Sequence, residues 1–120
     1  MTAVIGTGIA GSEGRLTGMI VAFSVAPAVV DNDSGEIADA VAEAVRVVRE
    51  SGLPNETNAM FTLVEGEWDE VFGTIKKATE AVRAVSPRTS LVIKADIREG
   101  VTNQLTDKVD AVNRRLAKED

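Results

Sequence analysis

Three groups of residues in this chain carry side chains that could do chemistry. Lys94, Asp96 and Arg98 stand at every second position, so a strand there places all three charges on one face. Turned into a cleft, Lys94 and Asp96 would hydrogen-bond a polar heterocycle or form ion pairs between subunits. Turned to water, they would only solvate an exposed sheet face. Ser24 and Asn58 lie within or beside apolar strand segments, and a polar group in such a place needs a partner. That partner is either a ligand or the neighbouring backbone. Glu65, Glu67, Asp69 and Glu70 form the third group. Converging carboxylates would suit magnesium or calcium, but acidic residues opening a helix also stabilise its dipole by about 0.3–1 kcal/mol each, which is the stronger reading.

The chain has no His, Cys or Tyr, so the commonest catalytic and metal-binding side chains are absent. A general base would have to be Asp96, Glu65 or Lys94. The string GTGIAG, Gly6 to Gly11, matches the dinucleotide pattern Gly-x-Gly-x-x-Gly. Only five residues precede it and no long helix can follow through SEGRLTG, so the strand and helix that the chemistry requires are missing. We read it as a coincidence of a glycine-rich segment. The only Trp, Trp68, falls on the same helical stripe as Phe72 and Ile75, and core packing is the expectation for it.

A length of 120 residues supports one domain with a real core and no need of disulfides or metals. The net charge of −6 and the 3% aromatic content disfavour binding to phosphate backbones or stacked bases, so no nucleic-acid role is expected. The same field favours a small cationic ligand. The longest apolar run, Met19 to Val30, is interrupted by Ser24 and Pro27 and is too short to span a bilayer. With no secretory signal pattern either, the expectation is a cytoplasmic protein with no membrane partner.

These side chains are positioned by a short series of elements. Residues 1–18, rich in Gly, Ser and Thr, read as a flexible extension, and residues 19–120 as the folded domain. Met19 to Ala26 alternates as a strand and Pro27 ends it. Asn32, Asp33 and Ser34 offer cap chemistry for a helix over Gly35 to Ser51, which carries Ile37, Val41, Ala44, Val45 and Val48 and stops at Gly52. Asn55 to Glu65 suits two short strands around Asn58 to Met60. A helix over Glu67 to Val85, a strand over Thr89 to Arg98 and a helix over Asn103 to Lys118 complete the chain. The last helix places Leu105, Val109, Val112 and Leu116 on a narrow seam, which favours packing on another subunit.

The order β-α-β-β-α-β plus a terminal helix predicts an α+β, ferredoxin-like fold. One four-stranded antiparallel sheet would have two helices on one face and an extra C-terminal helix. The uncovered face is expected to carry Ala22, Ser24, Thr62, Lys94 and Asp96, and to invite a partner subunit or a ligand.

Three segments, VAFSVAP (Val21 to Pro27), ESGLPNETNAMFTLVEGEWDEV (Glu50 to Val71) and LVIKADIR (Leu91 to Arg98), resemble the thiamine-binding protein family. The similarity runs from about Met19 to Leu116. The family's hairpin commonly reads Pro-Met-Gly-Thr, followed by an acidic-Gly-acidic step. This chain has Ala59-Met60-Phe61-Thr62 and Glu65-Gly66-Glu67, keeping the Met, the Thr and the acidic step, with Phe61 in place of Gly. The resemblance implies a ferredoxin-like protein that binds thiamin or its hydroxymethylpyrimidine part, assembled as a dimer or dimer of dimers through its sheets.

The expectation is therefore a non-catalytic, homo-oligomeric binder of thiamin or a hydroxymethylpyrimidine-like metabolite, with no cofactor and no metal. Ser24, Asn58, Met60, Thr62, Lys94 and Asp96 are the expected ligand contacts. Ser24, Asn58 and Thr62 would bond the pyrimidine edge, Met60 would pack on its face, and Lys94 and Asp96 would fix orientation or charge. Two other readings stand beside it: a small α+β barrel enzyme, isomerase-like, acting on a polar metabolite, and a purely structural assembly module.

Overall fold

Strict alternation along β1 (Thr17–Pro27) sets the architecture. Met19, Val21 and Phe23 are buried on one face, while Ile20, Ala22 and Ser24 point to the other. The computed structural model describes residues 17–28 and 35–118. After β1 the chain forms α1 (Gly35–Arg49), β2 (Asn55–Thr57), β3 (Thr62–Gly66), α2 (Trp68–Arg83), β4 (Thr89–Glu99) and α3 (Gln104–Ala117). These bounds differ from the sequence-based ones by no more than two residues at each end. Of the extension read over residues 1–18, Thr17 and Gly18 belong to β1, while residues 1–16 and the cap chemistry of Asn32, Asp33 and Ser34 lie outside the described residues.

The four strands form one antiparallel sheet in the order β2-β3-β1-β4. With two helices packed on one face, this is the ferredoxin-like α+β fold expected. Register decides which residues share a face. Phe23 pairs with Thr62 and Ile93, and Val21 pairs with Val64 and Ala95, so these residues all face α1 and α2. Thr62 is therefore not on the uncovered face, contrary to expectation. The register of β3 on β1 puts it opposite Phe23, a detail that residue type could not reveal. The uncovered face instead carries Ile20, Ala22 and Ser24 from β1, Leu63 from β3, and Val92, Lys94, Asp96 and Arg98 from β4, while Glu65 of β3, on the same side, is covered by the start of α3.

The core sits between the sheet and the two helices. Ala44 and Val48 of α1, and Val71, Ile75, Ala78 and Val82 of α2, close over Met19, Val21, Phe23 and Val64. Each fully buried valine contributes about 1.5–3 kcal/mol from burial alone. Trp68 departs from expectation: it is 54% exposed, and its ring meets Phe72 at 4.6 Å and a tilt of 43°. As the first residue of α2 it lies beyond the sheet-covering part of the stripe, which begins at Val71.

Several local devices end the elements. Gly52 (φ +83°) takes the left-handed conformation that terminates α1, and the Ser51 hydroxyl donates to the Val48 carbonyl at 2.6 Å. Gly18 is required by packing, because a Cβ there would overlap the carbonyl oxygens of Val101 and Arg98. That close approach lets the chain turn after β4, through Gly100 (φ +79°) and Asn103 (φ 59°), and start α3 beneath β1.

The start of α3 is held by a carboxylate from a distant strand. Glu65, only 5% exposed, accepts hydrogen bonds from the backbone N–H groups of Gln104 (2.9 Å) and Leu105 (3.2 Å). Two otherwise orphaned helix donors are thereby satisfied, with the charge at the favourable end of the dipole. Gln104 is buried and its side-chain amide donates to the Gly18 carbonyl. The rest of α3 is loosely held, with Val109, Val112 and Leu116 each more than half exposed. Glu65→Ala would leave both amides without their partner. The expected cost is about 1–3 kcal/mol, with faster hydrogen exchange at Gln104 and Leu105. Unchanged protection at those two amides would contradict the role.

Candidate functional site

A cleft of about 160 Å³ opens where the β2–β3 hairpin passes the C-terminal half of β1 and the side of α1. Its floor is Phe23, with Val25 beside it. Val41, Ala44 and Val45 line the α1 side, and the hairpin from Thr57 to Thr62 forms the rim. The α1 stripe thus divides: Ala40, Ala44 and Val48 are buried, whereas Val41 and Val45 turn toward the cleft.

Of the residues predicted from sequence, Ser24, Asn58, Met60 and Thr62 border this cleft. Lys94 and Asp96 do not. They sit on the uncovered face of β4, opposite Ala22 and Ile20, with β1 between them and the hairpin. Ser24 borders the cleft from β1, but strand alternation directs its side chain to the uncovered face, beside Val92. The polar side chains of the cleft thus come from the hairpin. Thr57, paired with Thr62 across β2 and β3, is one that sequence reasoning missed. The run Asn55-Glu56-Thr57 carried the signal, since a threonine separated by a short turn from an apolar β-branched strand is placed to pair with it.

Asn58 shapes the rim. Its side-chain oxygen accepts from the N–H groups of Met60 (2.8 Å) and Phe61 (2.9 Å), and its own N–H donates to the Phe61 carbonyl at 2.9 Å. This closes the turn that carries Ala59, Met60 and Phe61. With Oδ1 taken by two donors, the amide NH₂ is what the side chain has to offer a ligand. Met60 is 73% exposed at the cleft mouth, and Phe61 is half-buried against it.

The acidic cluster resolves into separate duties. Glu65 faces α3 and caps it, while Asp69 and Glu70 stand in the first turn of α2. No three carboxylates converge on a common point among the described residues. Asp96 pairs with Lys108 of α3. The hydrogen bond from Lys108 holds its carboxyl below the usual aspartate range; desolvation opposes the shift, and the charges of Lys108, Arg98 and Lys94 add attraction.

The fold and the cleft together define a ferredoxin-like α+β protein whose apolar pocket has a polar hairpin rim. A family model for thiamine-binding proteins matches residues 21–113. The chain belongs to the thiamine-binding protein family. UPF0045 protein Mb1933 of Mycobacterium bovis is 54% identical over 99 residues, covering 82% of this chain and 94% of that protein. The crystal structure of hypothetical protein MJ1052 from Methanocaldococcus jannascii matches at a TM-score of 0.68 and 27% identity, over 79% of this chain and 95% of that one. A domain of unknown function, DUF77, from Bacillus cereus matches at 0.65 and 28% identity, over 78% of this chain and 90% of that one.

Two outcomes check this geometry. Asn58→Ala should speed amide exchange at Met60 and Phe61 and cost about 0.5–1.5 kcal/mol, whereas Asn58→Asp keeps the acceptor and the protection. Lys108→Met should raise the Asp96 pKa toward the ordinary value, read from its side-chain carbon shift. In the native protein the stability linked to Asp96 is present above the ordinary aspartate range and is lost as pH falls through the lowered value. In Lys108→Met that acid-sensitive contribution should shrink, because the folded value moves toward the unfolded one.

Proposed function

We propose that this protein binds thiamin or a hydroxymethylpyrimidine-like metabolite in the hairpin cleft, without turning it over, and works as a homo-oligomer. The observation that carries the reading is a compact apolar cleft rimmed by Thr57, Asn58 and Thr62 in a member of the thiamine-binding protein family. Clefts for drug-sized ligands measure about 300–1,000 Å³. One of about 160 Å³ suits a single substituted ring, so the pyrimidine enters and the remainder of thiamin stays at the mouth.

An aminopyrimidine edge presents a donor beside a ring acceptor. The Asn58 amide NH₂ serves the acceptor, because the Asn58 oxygen already holds the turn. The hydroxyls of Thr57 and Thr62 take either role. Met60 and Phe61 cover the ring face, and Ser24, whose side chain turns to the uncovered face, borders the cleft from the β1 backbone. The net charge of −6 favours the cationic thiazolium at the mouth. Lys94 and Asp96 act from the uncovered face, in orientation, charge or subunit contact. That face, with Ile20, Ala22, Leu63 and Val92, supports assembly of dimers by sheet stacking.

Isothermal titration with thiamin and with hydroxymethylpyrimidine tests the reading. Saturable binding is expected for both, about micromolar in strength, near −8 kcal/mol, with Asn58→Asp and Thr62→Val each weakening it by up to about tenfold. Absence of heat with both ligands would reject it.

A further inference from the structure

The chain has no cysteine, so every sulfur atom it carries is a methionine thioether, at Met1, Met19 and Met60. Met1 lies outside the described residues. The other two stand in opposite surroundings. Met19 is 1% exposed, packed in the core between the sheet and the helices, and a dissolved reagent reaches it only through unfolding. Met60 is 73% exposed at the tip of the β2–β3 hairpin, and it also lines the cleft.

The hairpin holds Met60 in that place. Its N–H donates to Asn58 Oδ1 at 2.8 Å, and the Phe61 N–H donates to the same oxygen at 2.9 Å. The Asn58 N–H closes the turn on the Phe61 carbonyl, and Thr57 pairs with Thr62 just below. A turn tied at these points fixes the Met60 backbone at the cleft mouth. A reagent in solution and a ligand in the cleft therefore meet the same sulfur.

A thioether needs no deprotonation to act as a nucleophile, unlike a thiol. Its lone pair attacks the outer oxygen of a hydroperoxide. An S–O bond forms as the O–O bond breaks, and the sulfur gives up two electrons. The displaced oxygen takes the proton of the transferred one and leaves as an alcohol, or as water from hydrogen peroxide. The reverse step draws two electrons and two protons from a dithiol reductase, releases water and leaves the reductase thiols as a disulfide. The sulfoxide is uncharged but polar, and its oxygen is a strong acceptor that holds water. Against the face of a heterocycle that oxygen must give up its water with no donor in exchange. The apolar packing of the thioether is lost as well.

We propose that Met60 is a site of reversible oxidation by hydroperoxides, and that its sulfoxide weakens ligand binding in the hairpin cleft. The coupling rests on the reading that the ligand binds in this cleft.

The test treats the folded protein with dilute hydrogen peroxide, removes the peroxide and maps the digest by mass spectrometry. The Met60 peptide should gain one oxygen atom at about the rate of a free methionine peptide, while the Met19 peptide stays unmodified until denaturant is added. Isothermal titration with hydroxymethylpyrimidine and with thiamin should show affinity about threefold to tenfold weaker after oxidation. A methionine sulfoxide reductase with dithiothreitol should restore it. Met60→Leu serves as its own reference: whatever the substitution does to its affinity, peroxide should change that affinity no further. A ligand covering the sulfur should also protect it, so saturating hydroxymethylpyrimidine slows oxidation of Met60. Untreated protein that binds neither compound overturns the coupling together with the functional reading beneath it. Untreated protein that binds, and keeps its affinity once Met60 is oxidised, overturns the inference alone. So does a Met60 that resists peroxide as Met19 does. An equal loss of affinity in peroxide-treated Met60→Leu overturns it as well, the result expected if Trp68 or Met1 is the reactive group.

Discussion

The structure depends on the two-residue period of β1, an interior strand that pairs with both β3 and β4. Met19, Val21 and Phe23 must all face the helices together, because a slip of one residue would send the whole set to the uncovered face and bring Ile20, Ala22 and Ser24 inward. With β1 held in one register, β3 and β4 follow through their pairings. Thr62 then lands opposite Phe23, and the hairpin rim comes to lie beside α1. The cleft is thus a consequence of core packing at the end of the sheet where α1 leaves Phe23 partly overhung by the hairpin.

Polar side chains near the site divide between holding the fold and remaining open to a ligand. Glu65 places both oxygens on the amides of Gln104 and Leu105, and Asn58 places its oxygen on those of Met60 and Phe61. A buried carboxylate without such partners would be costly, and a tight turn without its acceptor would leave two N–H groups to water. This accounting narrows what the site can do. Glu65 is occupied as a helix cap, Asp96 is paired with Lys108, and the cleft itself is rimmed by hydroxyls and an amide. Those groups suit recognition of a small heterocycle better than proton transfer at neutral pH.

The sheet also separates two groups of polar residues in space. The cleft opens on the β2–β3 side of β1, whereas the alternating charges lie on β4 at the opposite edge. The exposed ends of α3 and Trp68 add apolar surface outside both regions.

Element order, strand alternation and the helix stripes were legible in the sequence because each rests on short-range periodicity: Val21 with Phe23, or Val71 with Ile75, reveals its face within one or two turns. The hairpin was legible for the same reason, as was its role as a candidate rim through Asn58, Met60 and Thr62. Contacts between residues far apart in the chain were decided only in three dimensions. Thr62 took the helix face because of its pairing with Phe23, 39 positions away in sequence. Glu65, read as one of four acids around a helix start, caps a different helix altogether. Trp68 left the core because α2 meets the sheet only from Val71 onward, and Lys94 and Asp96 were parted from the hairpin by strand order, which puts β1 between them. Local pattern dictates which face of an element is apolar, but only the packed sheet, through register and strand order, dictates which faces meet.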